Sequence, residues 1–96
     1  MPNSSGKPVV AIDFDDTWTL MPNPLAIFVK ALRVYGGTAL IVSCRQDDDE
    51  NRADITAATG FLGRHVLLTS GSPKRWYAAT WKVDIWIDDL PETVIN

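Results

Sequence analysis

The chain has 96 residues, 46% of them hydrophobic, a formal charge of −3 and a single cysteine. That length suits one domain with one core, and the mix of apolar and charged residues is that of a globular chain rather than a disordered one. The acidic excess excludes a generally basic, nucleic-acid- or membrane-binding surface, no apolar run nears the roughly 20 residues that span a bilayer, and Cys44 has no internal disulfide partner.

Residues 1–7 are polar and contain Gly and Ser, so they read as a loose tail before a single domain over 8–96. The start lacks the basic-then-apolar order of a secretory leader, and a cytoplasmic protein with no membrane partner is expected. The first ordered segment, PVVAIDF, is apolar without alternation, as strands buried on both faces of a parallel sheet are. NPLAIFVKALRVYGG then predicts a helix with Asn23 as N-cap, Pro24 at its first position, Leu25, Phe28, Val29 and Leu32 on one face, and Gly36 as its stop. TALIVS reads as a second strand. DDDENRADITAATG predicts a helix that opens on four acids in its first turn and ends at Gly60, with a thin apolar face. HVLLTS is a third strand, SPKRWYAATWK a helix capped by Ser72 with Pro73 at its first position, VDIWID a fourth strand, and LPETVIN a final turn.

Strand and helix in alternation imply an α/β fold: right-handed crossovers, a parallel sheet and helices on both faces, the three-layer Rossmann-like sandwich. Such sheets bind ligands beyond the carboxyl ends of their strands, where strand order reverses. Those ends carry Asp13 and Asp15, Ser43, Thr69 with Ser70, and Asp88 with Asp89, all polar. If the first strand stays extended through Phe14, its period of two puts Asp13, Asp15 and Thr17 on one side, with Phe14 and Asp16 on the other. Two unit charges about 4 Å apart repel by roughly 4 kcal/mol at an effective dielectric of about 20, so the acids need compensation. Protonation could supply it, but a hard divalent cation is the more economical answer, and Mg²⁺ takes one or two carboxylates together with waters and phosphate oxygens.

DFDDT at 13–17, behind the apolar VVAI, resembles the D-x-D-x-T signature of the haloacid dehalogenase superfamily of phosphatases and phosphotransferases. LIVS ending in Ser43 resembles that superfamily's second motif, Lys74 its third-motif lysine and IWIDD its acidic fourth. The resemblance implies a sheet of about four parallel strands in the order 3-2-1-4. It also implies a Mg²⁺-dependent phosphomonoester hydrolase in which Asp13 attacks phosphorus to form an aspartyl-phosphate. Asp15 is then the acid that protonates the leaving oxygen and the base that activates water, oriented by Thr17. Asp13, the backbone carbonyl of Asp15 and Asp88 would hold the metal, with Asp89 acting directly or through a water. Ser43 would hydrogen-bond the phosphoryl group, Lys74 would neutralise it while positioning Asp13, and Cys44 and Arg45 would complete the substrate loop. Many members of that superfamily have Gly then Arg after the second-motif residue, where this chain has Cys44 then Arg45.

Independently of any resemblance, Lys74 and Arg75 sit in the predicted first turn of a helix, where a cation opposes the macrodipole, a local rule broken at the place a phosphate would reverse its sign. Either could fill the cationic role. Plainer readings stand beside these: acid-rich loops as caps and turns, Ser43 as a strand-end hydroxyl, Lys74 and Arg45 as solvated cations. Nothing brings Cys44 and His65 together as a thiol–imidazole pair, and SGK at 5–7 and GSPK at 71–74 lack the spacing of a phosphate-binding P-loop. Trp76, Tyr77, Trp81 and Trp86 read as packing aromatics, and Trp18 and Trp76 as a pair able to flank a substrate.

The intervals after Thr17 and between the third and fourth strands are too short for a cap domain, so the site is expected to stand open. That suits a nucleotide, a nucleic-acid end or another phosphate ester, or a second subunit that covers it. The absent cap disfavours a mutase, and the acid at Asp15 disfavours a dehalogenase. The rivals are a phosphoacceptor module resembling a receiver domain, which needs its aspartate after the third strand where this chain has LLTS, and a non-catalytic binding module on the same acids.

Overall fold

Four short apolar segments lie side by side as parallel strands in the computed structural model, which describes residues 7–95: β1 Val9–Ile12, β2 Thr38–Ser43, β3 Val66–Leu68 and β4 Ile85–Ile87. Their order is β3-β2-β1-β4, the arrangement the sequence motifs imply. Register is tight: Ile12 stands opposite Ile41 on one side and Ile87 on the other, and Ser43 opposite Leu68. Two crossovers move outward from β1 and the last returns to its opposite side, so the order reverses between β1 and β4. That is the switch point at which open α/β sheets bind ligands.

Helix α1, Pro22–Tyr35, links β1 to β2, and α2, Asp49–Thr59, links β2 to β3. Both cover one face: Leu25, Val29 and Leu32 of α1 and Ile55 of α2 join Val10, Ile12, Ala39, Ile41, Val66 and Leu68 in the main core. The alternate strand residues, Val9, Ala11, Leu40 and Val42, point to the other face, where Leu67, Trp81, Val83 and Trp86 pack against them. This face carries α3, Lys74–Tyr77, and a single-turn helix at Ala79–Trp81; α4, Glu92–Ile95, ends the described chain and packs against α3. Among the described residues no domain is inserted between the elements, and no helix is long and apolar enough to cross a membrane.

Several boundaries differ from the sequence expectation for local reasons. Helix α1 starts at Pro22 with Met21 as cap, not at Asn23 and Pro24, because Pro22 already supplies the fixed φ and missing N–H that suit a first helical position. It ends at Gly36 in the left-handed region, φ 98°, as expected. Phe28, placed on the core face by spacing, is exposed. In α2 the cap is Asp48, whose carboxylate accepts from the Asn51 N–H at 2.8 Å, so Asp47 falls outside the helix and pairs with Arg52. The expected helix over 72–82 is α3 plus the single turn, without a Ser72 cap; Lys82, left-handed at φ 54°, turns the chain into β4. Of the expected loose tail, residues 1–6 lie outside the described residues, while the Lys7 ammonium sits 5.2 Å from the Tyr35 ring centre.

Ile55 is the one buried residue of α2. Removing most of it in Ile55→Ala should cost about 2–5 kcal/mol in urea unfolding; a loss below about 1 kcal/mol would mean that the polar contacts of α2 hold it in place instead.

Candidate functional site

Parallel register decides which side chains meet. Because Ile12 is level with Ile87, the next residues, Asp13 and Asp88, emerge together, and the Asp13 N–H donates to the Ile87 carbonyl at 2.9 Å. Asp13, Asp88 and Asp89 each offer an oxygen within 4.8 Å of the others. Into this group reaches Lys74 from the start of α3, 2% exposed, its Nζ 2.7 Å from Asp13 Oδ1 and 2.5 Å from Asp88 Oδ2. The Thr17 hydroxyl donates to Asp13 Oδ2 at 3.1 Å and lies 3.4 Å from Asp89 Oδ1. Asp88 uses its other oxygen to accept from the Leu90 N–H at 2.9 Å. Ser43, buried at the end of β2, faces the same cleft, and its Oγ accepts from the Arg45 N–H at 3.2 Å.

One ammonium balances only one of the three clustered carboxylates. Burial pushes the Asp13 carboxyl up to about 6; its hydrogen bond to Lys74 opposes this, and the nearby Asp89 and Asp88 add to it. Burial draws the Lys74 ammonium down, yet its hydrogen bonds to Asp13 and Asp88 outweigh that, so it too holds its proton more firmly than usual. Both groups hold their protons more firmly than usual, Asp13 chiefly through burial and Lys74 through its two carboxylate partners. The donor set fits a hard divalent cation: the clustered atoms are all carboxylate oxygens and border a cleft of roughly 160 Å³. Asp13, Asp88 and Asp89 are the residues that would hold it. The Asp15 carboxylate is not among them.

Asp15 is the main departure from the period-of-two expectation. The strand stops at Ile12, and the chain winds through a wide turn in which Trp18 N–H donates to the Asp13 carbonyl and Thr19 N–H to the Phe14 carbonyl, with Asp16 left-handed at φ 60°. Two large side chains explain the winding: Phe14 and Trp18 both enter the main core, and Trp18 meets Phe61 edge-on at 5.7 Å. The turn returns Thr17 to Asp13 and throws Asp15 outward. Asp13 and Asp15 line the same cleft, but the Asp15 carboxylate stands outside the Asp13–Asp88–Asp89 group, and Thr17 hydrogen-bonds Asp13 rather than Asp15. The Asp15 carboxylate instead meets Arg45 at two points, 2.8 and 2.9 Å, although the residue still lines the cleft.

Cys44 also lines the cleft; Arg45 borders it through Asp15, and Arg75 is exposed beside the buried Lys74. Trp18 is core and so does not flank a substrate, Trp76 and Tyr77 are exposed rather than packed, and His65 stacks on Trp81 at 5.1 Å. Asp16, Leu90 and Thr93 line the cleft without having been expected there. A signal for the Leu90 turn was present, since an aspartate after a strand commonly accepts from the N–H two residues on.

Comparison with known proteins adds no relative: no family model, no curated protein and no solved structure matches the chain.

The Asp13 shift has a measurable sign. A carboxyl raised in the folded state stabilises below its ordinary value of 3.8, and that contribution is lost as pH rises through about 6. In chelator, the melting temperature of the native chain relative to Asp13→Asn should therefore fall as pH climbs across this window. A difference that stays level or grows would show that Asp13 is not held protonated by its neighbours.

Proposed function

We propose that the protein is a Mg²⁺-dependent phosphomonoester hydrolase of the haloacid dehalogenase type, acting through a phosphoryl group carried on Asp13. The observation that supports this most is the state of that carboxylate: buried at the switch point of the sheet, gripped by Lys74 on one oxygen and Thr17 on the other, and open to the cleft beside Asp88 and Asp89. A rotationally fixed carboxylate is a competent nucleophile, because little freedom is left to lose on the way to the transition state. Bound at Asp13, Asp88 and Asp89, Mg²⁺ would supply charge neutralisation for the phosphoryl oxygens.

The residues divide the rest of the work. An Asp13 oxygen bonds to phosphorus as the bond from phosphorus to the ester oxygen breaks, and the departing oxygen takes a proton from Asp15, which has gained it from solvent on leaving Arg45. Asp15, now a carboxylate, accepts a proton from water as that water's oxygen bonds to phosphorus. The bond from Asp13 to phosphorus then breaks, restoring the carboxylate and releasing phosphate. Lys74 keeps Asp13 aimed and balances charge near the phosphoryl group. Ser43 accepts from the Arg45 N–H, an arrangement that leaves its own proton for a phosphoryl oxygen. Asp15 can act only after leaving Arg45, so the resting arrangement is not the reacting one.

The open cleft suits a nucleotide, a nucleic-acid end or a small phosphate ester, with a cytoplasmic setting and, where the mouth is covered, a second copy of the chain. A receiver-like phosphoacceptor is less well supported, since β3 is followed by Thr69 and Ser70 and offers no carboxylate there. Turnover of 4-nitrophenyl phosphate should need Mg²⁺, vanish in chelator and fall at least about a thousandfold in Asp13→Asn. Rapid quench should catch a transient phosphoenzyme on Asp13. Full activity in Asp13→Asn contradicts the proposal, as does a stoichiometric phosphoprotein that never releases phosphate.

A further inference from the structure

The Arg45–Asp15 contact joins two partners that are held very unequally. Arg45 is fixed from several sides: its guanidinium lies 5.0 Å from the Phe14 ring centre, Nη1 donates to Asn51 Oδ1 at 3.3 Å, and Asp54 Oδ2 stands 3.7 Å away. Its backbone is tied by the N–H bond to Ser43 Oγ. Asp15 is half-exposed, follows no regular element, precedes the left-handed Asp16, and among the described residues hydrogen-bonds its carboxylate to Arg45 alone. If Asp15 departs, Arg45 keeps its other contacts and its fork stays in place.

Around this fork the cleft is short of cations. Its lining holds Asp13, Asp15, Asp16, Asp88 and Asp89, with Lys74 as the one cation among the described lining residues, and Lys74 is already shared between Asp13 and Asp88. An anion arriving beside the reacting phosphate has one cation it can win from a weak partner. The two-point geometry that binds a carboxylate also fits a phosphate, and because the Asp15 end is half-exposed, a dianionic phosphate can compete for the same fork.

We infer that Arg45 exchanges Asp15 for a second phosphate on the substrate, so that the site selects phosphomonoesters whose alcohol also carries a phosphate or phosphodiester group. The exchange also frees Asp15 to enter the cleft, and in that consequence it rests on the proposed hydrolase activity. Selectivity and activation are then one event: a substrate without the second anion leaves Asp15 on Arg45.

Binding tests the exchange apart from turnover. The full chain carrying Asp13→Asn, with Mg²⁺, is titrated with adenosine 3′-monophosphate, adenosine 3′,5′-bisphosphate and a 3′-phosphorylated dinucleotide, while the Arg45 Nε–H resonance is followed by NMR. The two doubly anionic ligands should bind about tenfold or more tightly than the monophosphate and should move that resonance. Adding Arg45→Met should bring the ratio to within about twofold, whereas Lys30→Met, which removes an exposed cation of α1, should leave it intact. A tighter dinucleotide identifies a nucleic-acid end as the source of the second anion, and a tighter bisphosphate a free metabolite. Equal affinities in the parent, or a ratio that survives Arg45→Met in a folded protein, overturn the inference. If the ratio holds while the native chain hydrolyses no ester, the hydrolase proposal fails and the anion exchange stands; turnover with a ratio of one leaves the hydrolase standing and removes the exchange.

Discussion

Like charges meeting at the edge of a parallel sheet are the constraint around which the rest of the molecule is arranged. The β1–β4 register puts Asp13 and Asp88 side by side, and the turn after β4 adds Asp89. Lys74 is buried for the same reason. An ammonium 2% exposed would be costly to desolvate without partners; the carboxylates offset that cost. The compensation is incomplete, and the proposed cation at Asp13, Asp88 and Asp89 would complete it.

Much of this frame was legible in the sequence because burial on both faces leaves a plain mark. Val9–Ile12 and residues 39–42 are apolar through their length, and Gly36 and Gly60 end their helices where the pattern stops. Lys74 announced itself by opposing a helix dipole, although its partner Asp13 lies 61 positions away and could not be named from local rules. Asp15 was misplaced because a period of two was carried past the last paired residue, Ile12. A strand would bury Asp16 on the same face as Phe14 and Trp18, whereas the wound turn buries both aromatics and leaves Asp16 exposed. The contact of Asp15 with Arg45 spans 30 positions, joins two adjacent loops and leaves no periodic trace.

Asp13 and Asp15 of DFDD thus have opposite environments. Asp13 is buried, doubly hydrogen-bonded and immobile; Asp15 is half-exposed and tethered to a cation that is itself held elsewhere. A division into a fixed nucleophile and a mobile proton carrier is what the proposed two-step transfer requires, since one group must stay aimed while the other changes proton state between steps. The cleft has no inserted domain to close it among the described residues, so ordering of Asp15 has to come from the substrate or from a neighbour.

The central claim, that Asp13, Asp88 and Asp89 form one cation site, is tested most directly by calorimetric titration with Mg²⁺ at pH 6 in buffers of different ionisation enthalpy. The account predicts a single site per chain, with proton release on binding, because the cation displaces the proton held by the raised Asp13 carboxyl. That release should disappear in Asp13→Asn. Absence of saturable binding at millimolar Mg²⁺, or binding that leaves the proton count unchanged and is indifferent to Asp13, would contradict it.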